Sequence, residues 1–205
     1  MIPKVNTLFI KGIITYILFL SILCIILPKG SESIFCYAYY GKIQNFFFKN
    51  ISYLGEYYLL IPLGIYILFK RKELFPIATF IFIFQFLIVH ILKRVLNFPR
   101  PILFFEKNLS FELIQGVPKL LNHSMPSGHT ALGLCLFYFI SYLFPKSSIQ
   151  VVCLILAIGI GLSRIFLLCH FTEDVLVGTI IGFATCWVGL YYYEYKKKSN
   201  SIIIE

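Results

Sequence analysis

Six apolar runs, separated by short polar or charged stretches, set the pattern of this chain. They cover about Leu8–Leu27, Ser52–Phe69, Phe75–Leu96, Gly128–Phe144, Ile149–Leu168 and Val175–Tyr193. A transmembrane helix needs roughly 20 apolar residues, so each run is read as one span. The breaks carry helix-stopping chemistry: Pro28-Lys29-Gly30 after the first run, Lys70-Arg71-Lys72 after the second, Asn97-Phe98-Pro99-Arg100-Pro101 after the third. Two prolines so close together cannot continue a helix. A cleavable signal peptide is the rival reading of the first run, since Lys4 and Lys11 lie at its start. Its length and the lack of a small-x-small site favour a retained helix.

Composition agrees with that pattern. Of 205 residues, 59% are apolar and 13% charged, against about 45–50% and a quarter in soluble domains. The mean hydropathy is +0.86. A disordered chain, a collagen-like repeat, a coiled coil and a secreted disulfide scaffold are excluded. The expected fold is all-α: a polytopic membrane helix bundle of six transmembrane helices, one integral membrane domain over residues 1–205.

The net charge of +9 does not point to nucleic acid, because the basic residues sit between apolar runs, as at a membrane boundary. The six cysteines show no CxxC or Cys/His ligand spacing and read mostly as small hydrophobes. Lysine and arginine are densest around the termini, Lys70–Lys72 and Lys146, which places both termini in the cytoplasm and loops one, three and five outside. The segment 31–50 is too polar to span. Its aromatic residues suit either the headgroup layer or a connector packed on the bundle. Tyr191, Tyr192, Tyr193 and Tyr195 read as an interfacial belt.

Polar groups are costly at membrane depth, so their positions are informative. Lys93 with Arg100 and Pro126-Ser127-Gly128-His129 flank the third loop; Ser163-Arg164 and His170 with Asp174, the chain's only aspartate, flank the fifth. Two spans separate those loops, so the clusters emerge on one face of the membrane and can converge. A phosphate would suit them. Ser127-Gly128-His129 opens a helix whose free N–H groups favour an anion, and Gly128 permits close approach. Arg164, about two turns inside the end of the fifth helix, can pair bidentately with phosphate. A carboxylate four residues after His170 can accept one ring N–H and leave the other nitrogen free to attack.

Each residue alone has a plainer reading. Lys93 or Arg94 could be a snorkelling anchor, Pro-Ser-Gly a common turn, Ser163 a packing residue, and His-x-x-x-Asp a helix cap or metal site. His90 reads as a bundle-interior histidine, His123 as a loop residue, Glu56 and Glu173 as solvated or interfacial. The joint arrangement outweighs these readings.

At these residues the chain resembles the type 2 phosphatidic acid phosphatase superfamily. Lys93, six residues, then Arg100-Pro101 match its first motif, Pro126-Ser127-Gly128-His129 its second. Ser163-Arg164, five residues, His170, three residues and Asp174 match its third. The motif-bearing core is about residues 52–193.

The resemblance implies a metal-independent phosphatase without a cofactor. In it His170 is the nucleophile, Asp174 orients it, and His129 protonates the leaving oxygen and then activates water. Lys93, Arg100, Ser127, Gly128 and Arg164 hold the phosphate. With the site at the outer interface, the expected substrate is a lipid phosphate or diphosphate of a bacterial inner membrane: undecaprenyl diphosphate, phosphatidylglycerol phosphate, phosphatidic acid or a lipid A phosphate. The alternatives are a lipid phosphotransferase using the same site and a non-catalytic lipid-binding or transport protein. A vanadium haloperoxidase shares similar motifs, but in soluble proteins.

Overall fold

A computed structural model describes residues 7–105 and 117–203, without the side chains of 201–203. Lys4, Lys107 and Gly116 lie outside the described residues. Among the described residues nine α-helices follow in order: α1 (Thr7–Ile26), α2 (Ser31–Ala38), α3 (Lys42–Tyr53), α4 (Leu60–Lys70), α5 (Phe75–Leu96), α6 (Pro101–Phe105), α7 (Gly128–Leu143), α8 (Ser147–Phe166) and α9 (Thr172–Ile203). No strand occurs among the described residues.

At the centre stands α7, buried on nearly every side. A helix apolar all round belongs inside a bundle, and α8 and α9 flank it, with α5 beyond. Small residues bring these backbones close. A Cβ on Gly182 of α9 would stand 2.3 Å from the carbonyl oxygen of Ala131, and one on Gly133 would stand 2.5 Å from Ile160 Cδ1. α1 packs on α8 and α9, burying Phe9, Ile13 and Leu20 completely. Phe80, Ile83, Phe84, Leu87 and Ile91 leave the outer face of α5 apolar and exposed, as a lipid-facing surface requires.

By length and apolarity, four stretches of helix can cross a membrane: Thr7–Ile26, Lys72–Phe105, Ser147–Phe166 and Thr172–Asn200. The count of six is therefore not reached by this measure. α7, where a span was expected, has 16 residues, about 24 Å of rise. The expected second span is broken: α3 and the helical stretch Tyr57–Lys70 meet at a 49° bend and make at most a fifth crossing together. Segment 31–50, expected to be non-spanning, forms α2 and most of α3. α3 packs on α8, with Phe48 stacked on Phe166 at 4.2 Å, while Phe35, Phe46 and Phe47 stay exposed. The last helix runs on through the Lys196–Lys198 triplet, because lysine is a good helix former and does not by itself end a helix. Tyr191, Tyr192 and Tyr195 are exposed, whereas Tyr193 packs against the core. His90, expected inside the bundle, is exposed, its Nδ1 2.8 Å from the Phe86 carbonyl one turn earlier.

Candidate active site

The turn between α8 and α9 builds the centre of the site. The carbonyl of Arg164 accepts from the N–H groups of both Cys169 and His170 at the end of α8, and Leu168 takes a left-handed φ of 53°. That conformation is unfavourable for a residue with a Cβ, and here it reverses the chain so that Cys169 and His170 turn inward. His170 is 1% exposed and lies just before α9, not on it.

Asp174 sits in the first turn of α9. Its Oδ2 accepts from the Phe171 N–H at 2.9 Å and from Ser124 Oγ at 2.5 Å. The first contact is the acidic half of a capping box. The same oxygen is 3.4 Å from His170 Nδ1, close contact without hydrogen-bond geometry, and Nδ1 has no other partner among the described residues. Asp174 thus both caps its helix and faces the imidazole. On the other side, His170 Nε2 is 3.5 Å from Arg100 Nη1.

Arg100 follows the end of α5, where Asn97 adopts φ 43° and the prolines at 99 and 101 stop the helix. Its guanidinium donates to the carbonyls of Asn122 (3.0 Å) and Cys169 (2.9 Å) and reaches that of His123 at 3.5 Å. Lys93 Nζ donates to the His123 carbonyl at 2.8 Å, and His123 Nδ1 meets the Lys93 carbonyl at 2.9 Å. His123, expected to be a loop residue, therefore fastens the segment before α7 to the end of α5.

Ser127 is the N-cap of α7. Its N–H donates to the Asp174 carbonyl and its Oγ accepts from Thr130 at 2.8 Å. The N–H groups of Gly128, His129 and Thr130 have no acceptor within the helix, as in any first turn. A Cβ on Gly128 would stand 3.7 Å from Lys93 Cε, so this helix start lies beside the lysine.

Arg164 is in the last turn of α8, not two turns inside it. It is 8% exposed; Nη1 donates to Ser52 Oγ at 2.5 Å, and Nε is buried without a partner among the described residues. His129 Nε2 is 2.9 Å from Glu56 Oε1. Ser163, by contrast, turns its hydroxyl to the Ile160 carbonyl, as a packing residue does.

All eight expected site residues thus gather at one end of the bundle. Motif reading missed three that join them: Ser52, Glu56 and Ser124. Sequence reading gives Glu56 as solvated or interfacial and does not pair it with His129; a carboxylate beside a glycine in an apolar run is its visible sign.

Electrostatically the site gathers three cations, Lys93, Arg100 and Arg164, around His170. Burial first, then the charges of Arg100, Arg164 and Lys93, holds the His170 imidazole well below its ordinary 6.5, so the ring is neutral at pH 7 with an available lone pair. Among the described residues, no three His, Cys, Asp or Glu side chains cluster as metal ligands.

Comparison with known proteins agrees with this picture. The family model described as PAP2 superfamily matches residues 75–198. The crystal structure of Aquifex aeolicus LpxE is similar with a TM-score of 0.66 and 29% identity, over 77% of this chain and 92% of that one. The crystal structure of the first transmembrane PAP2 type phosphatidylglycerolphosphate phosphatase from Bacillus subtilis is similar with a TM-score of 0.67 and 21% identity, over 90% and 96%. No curated protein shows a significant match.

Proposed function

The chain belongs to the PAP2 superfamily, and from that premise we propose that it is a membrane lipid phosphatase working through a phosphohistidine. The observation that carries this reading is His170, with Nδ1 against the Asp174 carboxylate and Nε2 against the Arg100 guanidinium. A carboxylate at Nδ1 favours the tautomer with the proton there, which leaves the Nε2 lone pair facing the cations that would hold a phosphate.

In the first half-reaction Nε2 attacks phosphorus and the bond to the leaving oxygen breaks, with His129 donating a proton to that oxygen. Asp174 stabilises the positive charge that develops on His170. Lys93, Arg100 and Arg164, with the first N–H groups of α7 at Gly128 and the Ser127 cap, take the charge spreading over the equatorial oxygens. In the second half-reaction His129, now neutral, takes a proton from water as the water oxygen bonds phosphorus and the P–N bond breaks. No metal is needed, since three cations already surround the phosphate.

The bundle's apolar exterior and a site at one end of it support a substrate with its phosphate at headgroup level and its chains in the bilayer. The lysine and arginine distribution supports an extracytoplasmic site in a bacterial inner membrane. Purified protein in detergent, given undecaprenyl diphosphate, phosphatidylglycerol phosphate, phosphatidic acid and a lipid A phosphate, should release inorganic phosphate from at least one. Quenching with a radiolabelled substrate should trap an acid-labile phosphoenzyme that His170→Ala cannot form. Normal phosphate release by that variant overturns the reading. Transfer of the label to a second lipid instead of water would mark a phosphotransferase.

A further inference from the structure

The bend between α3 and α4 brings a group to the site that belongs to none of the three motifs. Gly55 lies at the bend, and a Cβ there would stand 2.9 Å from the His129 carbonyl oxygen and 3.0 Å from His129 Cβ. Only a glycine lets this turn press so closely on the start of α7. The next residue, Glu56, then places Oε1 2.9 Å from His129 Nε2. Ser52, in the last turn of α3, reaches the guanidinium of Arg164. The bend is closed by its own backbone bonds, Gly55 N–H to Ser52 and Glu56 N–H to Tyr53.

Stability does not account for the pair. Both side chains are partly exposed, 28% and 39%, and ion pairs so placed contribute about 0–1 kcal/mol. The contact does, however, decide which His129 nitrogen can work. With Nε2 engaged by a carboxylate, only Nδ1 remains to exchange a proton with substrate.

We propose that Glu56 is a positioning residue for His129: its carboxylate holds the ring by Nε2 and directs Nδ1 to the leaving oxygen. The inference rests on the phosphatase reading above. As the His170 Nε2–phosphorus bond forms and the phosphorus–oxygen bond breaks, the doubly protonated His129 ring passes its Nδ1 proton to the departing oxygen and keeps its Nε2 proton in the hydrogen bond to Glu56. Nδ1 recovers a proton from water in the second half-reaction, as the water oxygen replaces Nε2 on phosphorus. Glu56 stays ionised throughout, so protons balance over the cycle. The arrangement has the logic of the acid–base histidines that a third group orients, supplied here by the bend between α3 and α4.

The test compares a substrate whose leaving oxygen needs a proton with one that does not. Kinetics of kcat/KM are measured on phosphatidic acid and on p-nitrophenyl phosphate for the full chain and for Glu56→Gln, Gly55→Ala, His129→Ala, the Glu56→Gln/His129→Ala double variant and His170→Ala. Glu56→Gln should lose about 10–100-fold on phosphatidic acid and much less on the aryl ester. Gly55→Ala, which pushes the turn off α7, should show the same selectivity. The double variant should be no slower than His129→Ala alone. Equal losses on both substrates, or additive losses in the double variant, overturn the role of Glu56. Turnover by His170→Ala overturns the phosphatase reading instead, so the two failures are distinct.

Discussion

Ser124 donates a 2.5 Å hydrogen bond to the Asp174 oxygen that faces His170 Nδ1. Both residues are fully buried or nearly so, and the bond ties the segment before α7 to the first turn of α9. With the Phe171 N–H on the same oxygen, the carboxylate is held from two sides and cannot rotate away from the ring.

Ser124→Ala should therefore act on stability and rate together. Loss of a hydrogen bond to a buried charged group costs about 1.5–3 kcal/mol, to be read as a lower unfolding midpoint in detergent. A carboxylate less firmly placed should lower kcat by about tenfold, equal to about 1.4 kcal/mol in the barrier. An unchanged kcat would show that Asp174 needs no second anchor.

On the proposed mechanism the acid side of the pH profile belongs to His170. Its ring is held neutral by burial and by Arg100, Arg164 and Lys93, and protonation would occupy the attacking lone pair. Activity should persist as pH falls through 6.5, the range where an ordinary imidazole charges, and fail only below it. The same sign governs stability: an unfolded chain accepts this proton near 6.5 while the folded one resists it, so folding weakens as pH drops below that value. An acid limb of kcat/KM at or above 6.5 contradicts the assignment.

Vanadate, which adopts the five-coordinate geometry of phosphoryl transfer, should inhibit competitively, because transition-state analogues bind far more tightly than substrates. Chelators should leave turnover unchanged. Activity lost in EDTA and restored by a divalent cation would refute a site that relies on Lys93, Arg100 and Arg164 for its positive charge.

Gly182→Ala tests the packing of α9 on α7. The new methyl would meet the Ala131 carbonyl oxygen at 2.3 Å, a backbone atom that no rotamer change can move. Overpacking typically costs about 1–3 kcal/mol, so a fall in unfolding midpoint is expected, with activity affected only as α7 shifts. Gly64, with nothing within 4 Å of its Cβ position, is the control and should tolerate alanine.

The sequence was most legible where chemistry marks an end. The third run, Phe75–Leu96, has the same bounds as α5, because Asn97 and two prolines follow it. α8 and α7 fall within two residues of expectation. Hydropathy alone could not show the bend in the second run, since a 49° break within apolar sequence changes direction and not composition. The motif residues were readable because the family pattern fixes their types and spacing. Ser52, Glu56 and Ser124 were not, because a hydroxyl or carboxylate that meets its partner from 50 to 112 residues away along the chain has no fixed spacing to betray it.

The carbonyl oxygens of Asn122 and His123 take hydrogens from Arg100 and Lys93. A phosphate entering the site competes with these oxygens for the same donors, and they reclaim them when it departs. On the proposed mechanism, capture of the anion would exchange one set of acceptors for another, and free phosphate would lack the additional grip that a lipid's chains supply. Inorganic phosphate added to the assay should therefore slow turnover only weakly.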